Sequence, residues 1–279
     1  MRAWLTGALL CLSLPLSSAE RIVSLAPFLT DMVVLFESQD RLVGVIDDQS
    51  LPKKLETVPR VGAYQSLSLE RIVVARPDLV LAWTSGNPAE LLTRLEALGI
   101  DVRRFDPQTL AQIDAMTVEL GSVLGRRERA AELSAAFRSQ LDRTARPAGT
   151  RPPRVFVQLW DDPIFTIAGE QLLSDALRHC GARNIFHSQA GLSPQVSVES
   201  VLAADPEFII ALADQSERAQ VWLNRWRAHQ GIAAVRHARL YALRSDTLVR
   251  PTPAIAEGVS ELCRLLNPSK SVVEGGQVR

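Results

Sequence analysis

Neither sign of charge predominates: 31 lysines and arginines face 31 aspartates and glutamates, so the chain offers no basic footprint for a nucleic acid or an anionic membrane surface. It also lacks a Gly-x-Ser-x-Gly elbow, a His-Glu-x-x-His pair, a Gly-x-x-x-x-Gly-Lys phosphate loop and a Gly-x-Gly-x-x-Gly turn. The usual sequence marks of hydrolases, zinc proteases and nucleotide-binding enzymes are therefore missing. The four histidines, His179, His187, His229 and His237, have no metal-ligand spacing and no histidine-rich loop surrounds them. His179 and Cys180 are adjacent on a predicted helix and so point in different directions. No catalytic residue, resident cofactor or metal site is expected.

An apolar run long enough to cross a bilayer is missing too. After Arg2 the apolar stretch covers 3–16, short of the roughly 20 residues a spanning helix needs. Ser17 and Ala19 supply the small residues a leader peptidase reads, which predicts a signal segment over 1–19 and export to the periplasm. Cys11 follows Leu10, whereas a lipidation site needs a small residue there. Loss of Arg2 with the segment leaves a nearly neutral mature chain that is 47% hydrophobic before cleavage, as suits a globular protein with a sizeable core. Cysteine is scarce: of three in the sequence, Cys180 and Cys263 remain after cleavage. An even pair in an exported chain points to a disulfide, with two buried thiols as the alternative.

What the chain does contain is an internal repeat. Residues 67–82 read LSLERIVVARPDLVLA and residues 196–211 read VSVESVLAADPEFIIA. Ser68/Ser197, Glu70/Glu199, Ala75/Ala204, Pro77/Pro206 and Ala82/Ala211 coincide. Each copy specifies a short helix, with a serine N-cap, an acid in the first turn and an apolar stripe. Pro77 and Pro206 are expected to end these helices, and the apolar runs 79–82 and 208–211 that follow read as strands buried on both faces of a parallel sheet. Further strands are expected over 22–25, 42–46, 101–105, 154–159 and 240–243, with helices over 89–98 and 171–180. This alternation predicts two Rossmann-like α/β lobes with open, mostly parallel sheets. Between them, 126–146 contains no glycine or proline and places Ala130, Leu133, Phe137 and Leu141 at helical spacing. A helix of that length runs roughly 30 Å, enough to join the lobes, and Pro147 closes it. The expected division is a signal over 1–19, a first lobe over 20–124, a joining helix over 125–147, a second lobe over 148–268 and a loose tail over 269–279.

That order resembles the helical-backbone class of ABC-importer substrate-binding proteins, whose ligands are cobalamin, haem, siderophores and metal chelates. The segments 21–27, 64–72, 77–83, 154–156, 165–166, 180–181, 184–186 and 194–197 carry the resemblance, and the aromatic residues Tyr64 and Trp83 with the Cys180-Gly181 and Asn184-Ile185-Phe186 pieces favour its cobalamin-binding branch. The resemblance implies that a corrinoid is held in a cleft between the lobes, with haem or a ferric siderophore as alternatives. It places cleft aromatics on Tyr64, Trp83 and Phe165 and polar cleft residues on Asp246 and Arg250. Trp160 joins them as a strand-end aromatic, since ligands of open α/β sheets sit outside the strands' carboxyl ends and flat ligands are gripped by aromatic faces. Asp246 and Arg250 could instead form a local ion pair, and Trp222 and Trp226, four residues apart, read as core. Two positions depart from the family: Asp48 stands where it has a tyrosine, and Ser193 where it has a tryptophan. The matched Glu70 and Glu199 are expected to dock on an inner-membrane permease dimer, the free protein being a monomer.

Overall fold

The computed structural model describes residues 19–48, 51–64, 66–146 and 149–267. All of the expected signal segment except Ala19, the tail, Gln65 and Pro147 lie outside them.

The first sheet is built from β1 (Ile22–Ser24), β2 (Leu42–Val45), β3 (Leu79–Trp83) and β4 (Asp101–Phe105) in the order β2-β1-β3-β4. All three pairings are parallel, with α1 (Pro27–Leu35), α2 (Leu69–Val74) and α3 (Ala89–Ala97) as crossovers. The apolar run predicted for β3 is buried on both faces because helices cover the sheet on either side. Edge strand β4 exposes Asp101, Arg103 and Arg104, charges that discourage pairing with another chain.

After α4 (Leu110–Val123) and α5 (Arg127–Thr144) the second sheet forms from β5 (Arg154–Trp160), β8 (Phe208–Ala213) and β9 (Leu240–Arg244) in parallel, with β6 (Phe165–Thr166) antiparallel and β7 (Arg183–Asn184) parallel to β5. Its helices are α6 (Leu172–His179), α7 (Val198–Ala204), α8 (Ser216–Trp226), α9 (Ala233–Arg236) and α10 (Ile255–Leu266). Trp222 and Trp226 of α8 are buried, as their helical spacing predicts.

The two repeat units, α2–β3 and α7–β8, share local detail. Ser68 Oγ accepts from the Arg71 amide and Ser197 Oγ from the Ser200 amide, both at 3.2 Å. The helices stop short of the prolines: Arg76 and Asp205, equivalent residues of the repeat, turn left-handed at φ 47° and 41°. A residue before proline is sterically kept out of the right-handed helical region, so the proline acts one position early.

Helix α5 is the expected joining helix. Ala130 packs in the first lobe's core and Phe137 and Leu141 in the second's. Beside it α4 does the same in reverse, with Leu110 and Ile113 in the second core and Met116, Leu120 and Leu124 in the first. A paired helical strut therefore connects the lobes, held further by the Leu110 amide donating to Asp175 Oδ2 at 2.8 Å. Cys180 and Cys263 are disulfide-bonded, tying the end of α6 to α10.

Candidate functional site

Where β1 and β3 end, the chain puts aromatic side chains. Pro27 opens α1 directly after β1 and places Phe28 over Trp83, the last residue of β3, in an edge-to-face contact with ring centroids 6.1 Å apart. Tyr64 meets the same indole edge-on at 6.0 Å and is 38% exposed. Polar contacts fix the indole: Trp83 Nε1 donates to Asp106 Oδ1 at 2.9 Å, an oxygen that also accepts from Ser85 and Gln108. Buried Asn87 accepts from the Trp83 amide at 2.7 Å and donates to the Leu25 carbonyl at 2.9 Å, which locks the loop after β3. Gly86 lies so close beneath the indole that a Cβ there would sit 1.9 Å from a ring carbon.

Trp83 and Phe28 line one wall of a cavity of about 210 Å³ between the lobes. Its other wall comes from the second lobe and includes Leu159, Leu172, Leu192, Leu248 and Val249. The lining is apolar apart from Asp106, a few side-chain amides and Ser193. Pockets for drug-sized ligands measure about 300–1,000 Å³, so a macrocycle would require the lobes to part. A larger cavity of about 1,080 Å³ lies at the amino ends of β3 and β4, among Asp78, Asp101, Arg126 and other charged residues. Ligands of parallel sheets bind at the opposite, carboxyl ends, so the interlobe cleft is the candidate site.

The remaining expected ligand residues do not themselves line this cavity. Trp160, at the end of β5, is 50% exposed, leans on Trp222 at 6.1 Å and pairs in register with Phe165 of β6. Asp246 is exposed and bound to Arg244, whose hydrogen bond holds its carboxyl below the usual range. Arg250 makes no pair with Asp246. It reaches the first lobe, donating to Asp31 Oδ2 at 2.6 Å and lying 3.6 Å from Asp48. Burial works against its charge, but the hydrogen bond and charge of Asp31, with Asp48 and Tyr64, more than offset that and raise its pKa. Burial, then the Asp48 charge, push the Tyr64 hydroxyl up to about 12, Arg250 opposing, so Tyr64 stays neutral.

Phe28, Asp31 and Asp106 escaped the sequence reading. The signal for Phe28 and Asp106 was their place just past the ends of β1 and β4, which the rule for open sheets marks out. Asp31, one helical turn beyond Phe28, carries no such mark.

Glu70 and Glu199 stand in the first turns of α2 and α7. Both carboxylates are held below the ordinary range by their own backbone amides and by the N-cap hydroxyls of Ser68 and Ser197. Among the described residues no group of side chains could hold a metal ion.

The family model described as periplasmic binding protein matches residues 22–247. A vitamin B12-binding protein of Vibrio campbellii is 32% identical over 264 residues, 91% of this chain and 95% of its own. The crystal structure of the periplasmic vitamin B12 binding protein of Vibrio cholerae superposes with a TM-score of 0.80 at 33% identity, covering 89% of this chain and 97% of that one. The haem-binding protein of the same organism, at 18% identity and a TM-score of 0.74 over 89% of this chain and 99% of its own, shares the fold alone. With two parallel-sheet lobes and a cleft at their strands' carboxyl ends, the chain belongs to the periplasmic binding protein family, whose members bind and carry a solute and do not transform it.

Proposed function

We propose that this protein captures cobalamin or a related corrinoid in the periplasm and delivers it to an inner-membrane ABC importer. The observation that carries the reading is the cluster of Tyr64, Trp83 and Phe28 at the strand ends, beside an apolar interlobe cavity. Flat, hydrophobic ring edges with few polar contacts suit a large macrocycle, and the relatives reported above are named for vitamin B12. In this reading Tyr64, Trp83, Trp160, Phe165, Asp246 and Arg250 line the opened cleft, and the mature chain divides into lobes over 20–124 and 148–268 about a joining helix over 125–147. Isothermal titration with cyanocobalamin, cobinamide and haemin in parallel tests it. Saturable 1:1 binding of a corrinoid, with haemin weaker, is expected, and haemin binding without corrinoid binding would transfer the site to haem.

Delivery needs a surface that the importer can read. Glu70 and Glu199 occupy equivalent places in the two lobes, each ionised and solvent-exposed. Two matched acids suit a partner with two-fold symmetry, to which each would offer a charge-assisted contact. An acid in a first helical turn is also favoured by the helix dipole, which accounts for each residue singly and not for the pair. The Glu70→Ala, Glu199→Ala protein is expected to bind ligand like wild type and to stimulate its importer about tenfold less in proteoliposomes, as the loss of two rim charges would give. Undiminished stimulation would remove both residues from the docking surface.

A further inference from the structure

The contacts of Arg250 raise a question about selectivity that the aromatic walls leave open. Arg250 and Asp31 are 219 residues apart in sequence and meet only because the lobes face each other. Asp31 lies one turn beyond Phe28 on α1, and Phe28 lines the interlobe cavity. Asp48 follows β2, where the family resemblance led us to expect a tyrosine. Val249 and Pro251, the neighbours of Arg250, line the same cavity from the second lobe. The guanidinium is thus placed at the cleft, with two carboxylates already upon it. The charged group that lines the cavity itself is another acid, Asp106.

We propose that Asp31 and Asp48 are specificity-determining residues: two carboxylates facing the single guanidinium of Arg250 across the cleft leave its walls with a net negative charge whether the lobes are together or parted, so the site selects amide-fringed, neutral or cationic macrocycles and rejects those bearing carboxylates. An unengaged arginine would do the reverse, since its planar fork binds a carboxylate through two parallel hydrogen bonds. Here that fork faces Asp31 and Asp48, and an incoming carboxylate must either displace one of them or sit beside them. Like charges at close range in a partly desolvated cleft repel more strongly than in bulk water. A ligand whose side chains end in neutral amides meets no such repulsion and can donate its N–H groups to the same acids. Tyr64, kept neutral by burial and by Asp48, adds a hydroxyl to that neutral-ligand surface.

This deepens the corrinoid reading and rests on the same cleft, so the test separates the two. Affinities would be measured by titration calorimetry for cyanocobalamin and for a monocarboxylate made from it by hydrolysing one side-chain amide, and likewise for haemin dimethyl ester and haemin. The proteins are wild type, Asp31→Asn, Asp48→Asn and the double variant, each checked for folding by circular dichroism. Wild type is expected to favour the amide over the acid by at least tenfold, and the double variant to shrink that ratio at least tenfold, because the freed Arg250 then accepts the carboxylate. Raising salt from 50 to 500 mM should narrow the ratio in wild type alone, as screening shortens the reach of the repulsion, and this arm needs no variant to fold. An amide-to-acid ratio near one in wild type, or one that neither salt nor the substitutions change, would overturn the inference. If corrinoids fail to bind, the cobalamin reading falls and the ester and haemin pair decides the charge rule by the same ratios. Binding of none of the four overturns both.

Discussion

Removing the Cys180–Cys263 bond is expected to destabilise this fold markedly. The bond closes a loop of 83 residues, and in the chain-entropy description a loop that long restricts the unfolded chain by about 4 kcal/mol. Both cysteines are buried, with Cys180 at the end of α6 and Cys263 in the last turn of α10. Helix α10 is the last element among the described residues and packs on α5 and α6, and its Val259, Leu262 and Leu266 belong to the second core. Without the bond its docking rests on those apolar contacts, on Gln140 of α5, whose side-chain amide donates to Ser260 Oγ at 3.4 Å, and on Asn267, whose side chain donates to the Cys180 carbonyl at 3.1 Å. For a chain of this size each kcal/mol is worth about 2–4 °C in melting temperature. The Cys180→Ala, Cys263→Ala protein should therefore melt about 10 °C below wild type by calorimetry, and reductant should lower wild type similarly. A shift under 2 °C would show that α10 is held by its core contacts alone.

The disulfide was legible in the sequence because counting after signal removal left one pairing. The lobes were legible for a similar reason: the repeat shows two copies of one helix-to-strand unit, and a continuous apolar run such as Phe208–Ala213 has few places to go other than the middle of a parallel sheet. Boundaries were less so. The left-handed turns at Arg76 and Asp205 end their helices ahead of the prolines, a backbone choice that composition does not announce. Residues 110–123 fell within the expected first lobe, yet the first turn of the helix they form, α4, is in the second core, because which helix face meets which lobe is decided by packing and not by periodicity. The cleft was the least legible part. The resemblance placed Arg250 among the polar cleft residues, with a local pair to Asp246 as the alternative; in the folded chain it crosses to Asp31 and Asp48, partners that no local pattern named. Local sequence encodes local pairs, while a site between two lobes is made of residues that only the folded chain brings together.

Replacing Trp83 by alanine should weaken corrinoid binding by about a hundredfold, because the indole is both a wall of the cavity and the piece that its neighbours lean on. It lines the cleft, Phe28 and Tyr64 meet it edge-on, and its N–H holds Asp106, which in turn fixes Ser85 and Gln108. Truncation removes the contact area, frees both aromatic partners and leaves the Asp106 carboxylate short of a donor. Buried aromatic anchors of this kind cost 2 kcal/mol or more when cut to alanine, and about 2.7 kcal/mol is a hundredfold. Gly86→Ala separates contact from position. A methyl group there would overlap the ring at 1.9 Å, so the indole must shift from its place while its surface area is kept. The glycine variant is expected to lose at least tenfold in affinity with little change in melting temperature, provided the orientation of the ring is what the ligand reads. Titration of both variants with cyanocobalamin decides the matter: full affinity in Trp83→Ala would place the ligand elsewhere, and full affinity in Gly86→Ala would show that the indole supplies surface and not a fixed wall.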